Sequence, residues 1–173
     1  MMKRIMIIGC GGAGKSTFAK RLHDILGYEL IHLDLLYWKA NWTPTPKEAW
    51  VRTVASIIQK DSWIMDGNYN STIPERLARA DTVIYFDFPA IVCVYNAVVR
   101  VIRSRLSGMK RSDIPENCPE RINFEFIKWI IGYNRTNRPA YLGMLSEMHD
   151  KNIYYIKNYS DADKLLNILA DKF

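Results

Sequence analysis

The chain has 173 residues, of which 49% are hydrophobic and 24% are charged, so we expect one globular domain over residues 1–173 and exclude disordered and collagen-like classes. The three cysteines and three histidines show neither CxxC nor HxxxH spacing, which argues against a disulfide framework and a zinc site. No apolar run is long enough for a membrane span or a secretory signal, and we therefore expect a cytoplasmic protein without a membrane partner.

The formal net charge of +6 is concentrated in one segment. Residues 100–138 contain nine Lys or Arg against four Asp or Glu, which gives this segment a charge of +5. Such an excess suits an anionic partner, either nucleotide phosphates or a nucleic-acid backbone. The sequence has no helix-turn-helix, zinc-finger or RNA-binding sheet motif, and this favours the nucleotide.

Short apolar runs alternate with helical patterns along the chain. Strands are predicted at residues 3–8, 28–34, 62–66, 82–88 and 152–157. Helices are predicted at residues 15–26, 46–60, 73–79, 89–106, 121–148 with a break near Pro139, and from a cap at Ser160 to about residue 171. Strands that alternate with helices require right-handed crossovers, so the predicted fold is a three-layer α/β/α domain with a five-stranded parallel sheet.

The first predicted strand leads into GCGGAGKS at residues 9–16, which matches GxxxxGK[S/T] between a strand and a helix. Glycines permit positive φ, so backbone N–H groups turn inward around phosphate oxygens at a helix N-terminus. We expect Lys15 to neutralise the β- and γ-phosphates of ATP and Ser16 to coordinate Mg²⁺. Cys10 is either a thiol whose pKa the helix dipole lowers or a small residue that fits the loop. The predicted nucleotide-binding residues are Gly9, Gly11, Gly12, Ala13, Gly14, Lys15, Ser16 and Thr17.

Three acidic residues lie at or near the carboxyl ends of predicted strands, where ligands of such sheets bind. We expect Asp66 to hold Mg²⁺ through water, with a capping or turn role as the alternative. Asp34 is predicted to bind or deprotonate an acceptor hydroxyl, or else to cap the following turn. For Asp87 we expect a helix N-cap rather than a metal contact.

Residues 100–138 are predicted to form a basic lid with its flanking helices, because residues 107–119 are rich in Gly, Pro, Asn and charge. Guanidinium groups on the flanking helices give bidentate contacts to phosphate when such a lid closes. Arg111 and Arg121 are further candidates, and the alternative for all of these residues is a solvated helical face. The predicted catalytic arginines are Arg100, Arg103, Arg135 and Arg138.

An aromatic cluster follows the second predicted strand and comprises Tyr37, Trp38, Trp42 and Trp50. Flat side chains wall an acceptor pocket when they stack on a base or ring. Alternatively, Trp38 and Trp42 only pack a short helical turn at four-residue spacing.

Four stretches carry a resemblance to known proteins: GCGGAGKST at residues 9–17, HLDLLYW at 32–38, MDGNY at 65–69 and CPER at 118–121. The first resembles the P-loop kinases, which include adenylate kinase and shikimate kinase. All four together resemble the small DNA topology modulation proteins over nearly the whole chain. The resemblance implies strand order 2-3-1-4-5, an ATP site with adenine near residues 158–160, and a lid that closes over phosphates.

The resemblance also implies something about the acceptor. Adenylate kinase has Asp-Gly-Phe-Pro-Arg after its third strand, whereas residues 66–70 here read DGNYN and lack the arginine that contacts a nucleoside monophosphate. Shikimate and gluconate kinases use an acid after the second strand near the hydroxyl that they phosphorylate, and Asp34 occupies that position.

The sequence therefore predicts a phosphotransferase that uses ATP and Mg²⁺ and acts on a nucleoside, a nucleotide or another small acceptor. A nucleotide-binding regulator that contacts DNA through the basic segment is the alternative. A third possibility is an ATPase without an acceptor, because water attacks in a loose site.

Overall fold

The computed structural model describes residues 2–107, 113–115, 117–118 and 123–172. Its strands are β1 (Arg4–Gly9), β2 (Leu30–His32), β3 (Trp38–Lys39), β4 (Thr43–Pro44), β5 (Trp63–Asp66), β6 (Thr82–Phe86) and β7 (Asn152–Ile156). Its helices are α1 (Lys15–Leu26), α2 (Leu33–Tyr37), α3 (Lys47–Ile57), α4 (Ile73–Arg79), α5 (Ala90–Ser107), α6 (Phe124–Ser146) and α7 (Tyr159–Ala170).

Five of these strands form one parallel sheet in the order β2-β5-β1-β6-β7, which confirms the predicted order 2-3-1-4-5 of the strands within the sheet. The central strand β1 is a nearly continuous apolar run and is buried from residue 5 to residue 9, as expected for a strand covered on both faces. Its register places Ile7 beside Asp66 of β5 and Gly9 beside Phe86 of β6. The carboxyl ends of the three central strands therefore meet at one edge.

Helices cover both faces of this sheet. Neighbouring residues of a strand point to opposite faces, so Phe86 and Tyr85 of β6 contact helices on different faces. On one face the ring of Phe86 lies 5.3 Å from that of Phe18 in α1, and α1 packs against α7. On the other face Tyr85 lies within hydrogen-bonding distance of Tyr133 in α6, with 3.4 Å between the two hydroxyl oxygens. The predicted three-layer α/β/α fold is confirmed.

The second strand is shorter than predicted. It ends at His32, and Leu33 begins the short helix α2, so Asp34 lies in the first turn of a helix rather than in a strand. β2 lies at the edge of the sheet, and its ladder with β5 joins three residues, Leu30 to His32. The prediction of a strand as far as residue 34 was wrong.

The predicted break of the penultimate helix at Pro139 was also wrong, since α6 is one helix of 23 residues with Pro139 inside it. Proline removes one backbone hydrogen bond and strains the preceding turn. Buried side chains on both sides of it, Tyr133 before and Tyr141 and Leu145 after, hold the helix against the sheet. Tertiary packing here outweighs the local cost of proline.

Two predicted helix starts need correction. Pro46 is the N-cap of α3 rather than its first residue, and the hydroxyl of Thr45 donates to the carbonyl of Leu36 at 3.2 Å. The N-cap of α7 is Asn158, whose side chain accepts from the N–H of Asp161 at 2.9 Å, and Ser160 lies inside the helix.

Most of the excursion between α5 and α6 lies outside the described residues, and this includes Arg111 and Arg121. The described part of the excursion contacts α1 and the hairpin of β3 and β4. Asp113 is buried and forms an ion pair with Lys20 of α1 at 3.8 Å. Among the residues that the structure describes, no helix combines the length and hydropathy that a membrane crossing needs.

Candidate nucleotide and acceptor site

The loop between β1 and α1 has the backbone that the glycine pattern predicts. Gly9, Gly12 and Gly14 have φ angles of 138°, 85° and 91°. A Cβ at Gly9 would lie 2.4 Å from the carbonyl oxygen of Phe86, and one at Gly12 would lie 2.3 Å from that of Cys93. Both positions therefore admit only glycine, because side chains disfavour these φ angles and backbone atoms occupy the space.

The helix that follows this loop is a suitable anion site. Gly14 is the N-cap of α1 and has no side chain with which to satisfy the N–H groups of the first turn. These N–H groups and the helix dipole attract negative charge. The ammonium group of Lys15 donates to the carbonyl of Cys10 at 2.8 Å and so lies over the loop. Ser16 is partly exposed and Thr17 is exposed at the same helix end.

The cysteine of this loop is fully buried. Cys10 lies beside Cys93 of α5, and a hydrogen bond between the thiols, together with burial, raises the pKa of Cys10. A thiol with a raised pKa is a poor nucleophile. The structure therefore favours the interpretation of Cys10 as a small residue that fits the loop.

Asp66 lies at the end of β5, next to β1, and its carboxylate is paired. Oδ2 of Asp66 lies 3.0 Å from Nδ1 of His32, and both side chains are buried. His32 is the last residue of β2, so the pairing joins two neighbouring strand ends. Within the described residues, no group of three or more His, Cys, Asp or Glu side chains is placed to hold a metal ion on protein ligands alone.

The second acidic residue, Asp34, is bound by Tyr69, whose hydroxyl donates to Oδ1 of Asp34 at 2.6 Å. Burial and the negative charge of Asp34 raise the pKa of Tyr69. Tyr69 also has a positive φ of 45°, which is rare for an aromatic residue. Residues in such conformations persist where the surroundings hold them, often at functional sites.

Arg76 of α4, which the sequence analysis did not single out, holds this part of the chain. Its side chain is fully buried and donates to the carbonyls of residues 67, 68 and 69 and to Thr72. Burial lowers the pKa of Arg76 to about 10. A capping-box pattern, TIPE, precedes the arginine in the sequence, but no local signal shows that its guanidinium turns inward.

The third acidic residue, Asp87, is not the N-cap that the sequence predicts, because α5 begins at Ala90. It pairs instead with one of the predicted lid arginines. Nε and Nη2 of Arg138 donate to the two carboxylate oxygens of Asp87 at 2.6 and 2.8 Å. This bidentate bond raises the pKa of Arg138. The pair borders a cleft of about 430 Å³ that is also lined by Asn134 and Lys157.

The other three predicted arginines also lie on α5 and α6. Arg100 lines a small cavity between α5 and α6, together with Asn123 and Phe126. Arg103 on α5 and Arg135 on α6 are exposed to solvent. The described residues place these three arginines on the two helices that flank the excursion, as the sequence predicts.

The aromatic residues after β2 pack against one another beside Asp34. The ring of Tyr37 lies 5.1 Å from that of Trp50 and 4.6 Å from that of Tyr69. Trp38 and Trp42 meet edge to face at 5.8 Å, but they lie on strand β3 and a following 3₁₀ turn rather than on one helix. The cluster is thus a packed wall next to the acid.

The hairpin of β3 and β4 also meets the described part of the excursion. The N–H of Asn41 donates to the carbonyl of Asn117 at 3.0 Å, and Sγ of Cys118 donates to that of Lys39 at 3.2 Å. These bonds bring residues of the predicted lid next to the aromatic wall.

The glycine loop of residues 9–16 is the predicted phosphate loop. Side chains from distant helices complete its surroundings, and sequence reasoning missed most of them. A Cβ at Gly11 would lie 2.6 Å from the ring of Phe126 in α6. The carboxamide of Asn96 in α5 donates to the carbonyl of Gly12 at 2.9 Å and to the hydroxyl of Tyr159 at 2.7 Å. Tyr159 belongs to the segment where the resemblance places adenine.

No protein-family model and no curated protein matches the chain. Among solved structures, the crystal structure of shikimate kinase from Bacteroides thetaiotaomicron is similar, with a TM-score of 0.57 and 15% sequence identity. The similarity covers 99% of this chain and 98% of that chain. The chain therefore has the fold of a P-loop kinase, while the resemblance to DNA topology modulation proteins stays a prediction.

Proposed function

We propose that this chain is a phosphotransferase that moves the γ-phosphoryl group of Mg-ATP to a small acceptor. The observation that carries the proposal is the glycine loop between β1 and α1, whose backbone leaves the uncapped N-terminus of α1 facing the loop, with Lys15 beside it. Phosphoryl transfer asks the protein mainly to position its substrates and to stabilise charge on phosphate oxygens. The P-loop kinase fold supports the proposal.

Each group of the loop has a role in this proposal. The N–H groups of residues 11–16 bind phosphate oxygens, and the ammonium of Lys15 leaves the carbonyl of Cys10 to bind the β- and γ-phosphates. The hydroxyl of Ser16 and, through water, the carboxylate of Asp66 would hold Mg²⁺. The bound Mg²⁺ supplies neutralisation of the charge on the phosphates.

Asp34 acts on the acceptor in this proposal. One of its oxygens accepts from Tyr69 at 2.6 Å, which fixes the carboxylate beside the aromatic wall. A fixed carboxylate orients an acceptor hydroxyl and takes its proton as the phosphoryl group arrives.

We assign residues 100–138 to a lid with its flanking helices. Arg100, Arg103 and Arg135 lie on those helices and would add positive charge around the transferred group when the lid closes. Arg138 contributes in the same way only if its bond to Asp87 opens.

Replacement of the loop lysine tests the nucleotide site. With Mg-ATP at one hundred times its dissociation constant, binding stabilises the folded chain by about 2.7 kcal/mol. For a chain of this size that corresponds to a rise in melting temperature of about 5–10 °C. We expect this rise for the unmodified chain and its loss in Lys15→Ala, measured by thermal unfolding with and without Mg-ATP.

The matched control is Lys60→Ala, which removes a surface lysine paired with Glu29 at 2.6 Å, away from the loop. It should keep the full nucleotide-induced rise. An equal rise in Lys15→Ala would contradict the proposed site. Transfer of labelled γ-phosphate to nucleosides, nucleotides, sugars and small acids then identifies the acceptor, and release of phosphate to water alone would indicate an ATPase.

A further inference from the structure

The hydrogen-bond ladder between β1 and β5 stops where the phosphate loop begins. Ile7 lies opposite Asp66, and the N–H of Gly67 donates to the carbonyl of Ile7 at 3.2 Å. In a longer parallel ladder, the next bonds would join the N–H and carbonyl of Gly9 to the backbone of residues 67 and 69. Instead the chain turns away at Gly67, which has a φ of 140°.

The side chain of Asn68 replaces the missing backbone. Its Oδ1 accepts from the N–H of Gly9 at 3.0 Å, and its Nδ2 donates to the carbonyl of Gly9 at 2.9 Å. A carboxamide offers the same donor and acceptor as a peptide group, so both polar groups of Gly9 are satisfied. Gly9 is the first residue of the phosphate loop, and one side chain thus fixes the residue from which the loop departs.

The segment that carries Asn68 is held in turn by Arg76. The carbonyl of Gly67, which a longer ladder would direct to β1, accepts from Nη1 of Arg76 at 2.9 Å. The carbonyls of Asn68 and Tyr69 also accept from the same guanidinium. Because this guanidinium is fully buried, the backbone below Asn68 has little freedom to move.

We propose that Asn68 is a positioning residue of the phosphate loop and sets the shape in which this loop binds the triphosphate. The inference rests on the function proposed above, since it concerns the nucleotide of the same site. Without the carboxamide, Gly9 bonds to water and the loop samples other shapes, so the ordering cost of binding rises. Tyr69 reaches Asp34 from the same segment, so residues 66–69 connect the nucleotide side with the acceptor side.

Two matched alanine variants test the proposal. Asn68→Ala removes both bonds to Gly9. The control, Asn70→Ala, removes a carboxamide two residues further along the chain, which accepts from the hydroxyl of Tyr141 at 2.6 Å. We expect Asn68→Ala to raise the dissociation constant of Mg-ATP about tenfold or more, as for the loss of one or two net hydrogen bonds. Asn70→Ala should bind Mg-ATP as tightly as the unmodified chain, both measured by calorimetry.

Hydrogen exchange of the Gly9 amide, followed by NMR without nucleotide, gives a second readout. It should be faster in Asn68→Ala and unchanged in Asn70→Ala, while the amide of Ile7 stays protected in both. Asn68→Asp keeps the acceptor for this amide but loses the donor to the Gly9 carbonyl. It should therefore keep slow exchange at Gly9, and this comparison tests the pairing if the alanine variant unfolds. Binding of Mg-ATP by this variant does not test the pairing, because the added negative charge repels the triphosphate.

The outcomes separate this inference from the proposed function. If the unmodified chain fails to bind Mg-ATP, the proposed function falls, and the inference that rests on it falls as well. If the unmodified chain binds Mg-ATP and Asn68→Ala binds it equally well, the positioning role alone is overturned. Unchanged exchange at Gly9 in Asn68→Ala overturns the pairing itself, whatever the nucleotide does.

Discussion

The three acidic residues at the strand ends each have a partner in the folded chain. Asp66 is paired with His32, Asp34 with Tyr69, and Asp87 with Arg138. Only the last of these pairs joins a predicted lid arginine. A partnered carboxylate has a fixed orientation before a substrate binds, and its remaining lone pairs still accept hydrogen bonds. These partners therefore fix the orientation of each carboxylate in the folded chain.

The role of Asp34 is tested by Asp34→Asn. The asparagine still accepts from the hydroxyl of Tyr69, but it cannot take a proton from an acceptor. We expect transfer to the identified acceptor to fall by about 10²- to 10⁴-fold in kcat, with binding of Mg-ATP unchanged. Steady-state rates and calorimetry measure the two effects.

The control for this substitution is Asp163→Asn, which removes a half-exposed carboxylate paired with Arg21 at 2.5 Å. It should transfer phosphate at the full rate. Near-complete transfer by Asp34→Asn would leave Asp34 with a structural role only.

At the scale of elements, α6 links the sheet with the phosphate loop. Its first turns bring Phe126 against Gly11, and its middle packs Tyr133 against Tyr85 of β6. Near the carboxyl end of β6 the same helix holds Asp87 through Arg138. Because α6 has contacts with the loop, the sheet and Asp87 along its length, it stays continuous at Pro139.

Two glycine substitutions separate the demands of helix and loop. Gly143 lies inside α6, and a Cβ there would meet nothing within 4 Å. We expect Gly143→Ala to raise the free energy of unfolding by about 0.5–1 kcal/mol, because alanine loses less backbone entropy on folding. Gly12→Ala should lower it by about 1–3 kcal/mol, since its φ of 85° and the carbonyl of Cys93 leave no room.

Urea unfolding of both variants measures these changes, and Mg-ATP binding provides a second measurement. Gly143→Ala should bind Mg-ATP normally, whereas Gly12→Ala should bind it weakly. A stable Gly12→Ala variant with normal binding would contradict the strained geometry of the loop.

At the scale of the whole molecule, the site joins segments that are distant in the sequence. Asn96 connects α5, the phosphate loop and α7 by its bonds to Gly12 and Tyr159.

On the face of the sheet that α6 covers, several tyrosine side chains are enclosed between β6 and α6. Burial raises the pKa of Tyr85 and of Tyr141 to about 12.

These phenols predict how stability depends on alkaline pH. Because a phenol in the unfolded chain ionises near pH 10, the folded state favours the neutral form of Tyr85 and Tyr141. Their contribution is fully present below about pH 10 and is lost as the pH rises through about 12. We expect the free energy of unfolding to fall over this window in urea titrations.

Absorbance of tyrosinate at high pH checks the assignment. The late part of the titration should shrink in Tyr85→Phe, which removes one buried phenol, and should be unchanged in Tyr95→Phe, which removes an exposed one. A complete titration of all tyrosines near pH 10 in the folded chain would contradict the burial of these groups.

The resemblance to P-loop kinases implied the order of the sheet. The sequence by itself determined the glycine loop and the helix after it. Lys15 to Leu26 was predicted as α1 with the same bounds that the structure shows. These features follow from local chemistry, because glycines at fixed spacing, an apolar strand before them and a periodic helix after them lie within 26 residues. The catalytic and metal-binding roles of Lys15, Ser16, Asp34 and Asp66 stay predictions.

Tertiary structure alone decided which side chains hold that loop. Asn68 and Gly9 are 59 residues apart, and Asn96 and Gly12 are 84 residues apart, so no local pattern pairs them. Arg76 looks like a surface residue in the sequence, yet the carbonyls of a turn that packing creates draw it inward. Such partners exist only once the sheet has brought its strand ends together, because hydrogen bonds depend on distances and angles that spacing along the chain does not set.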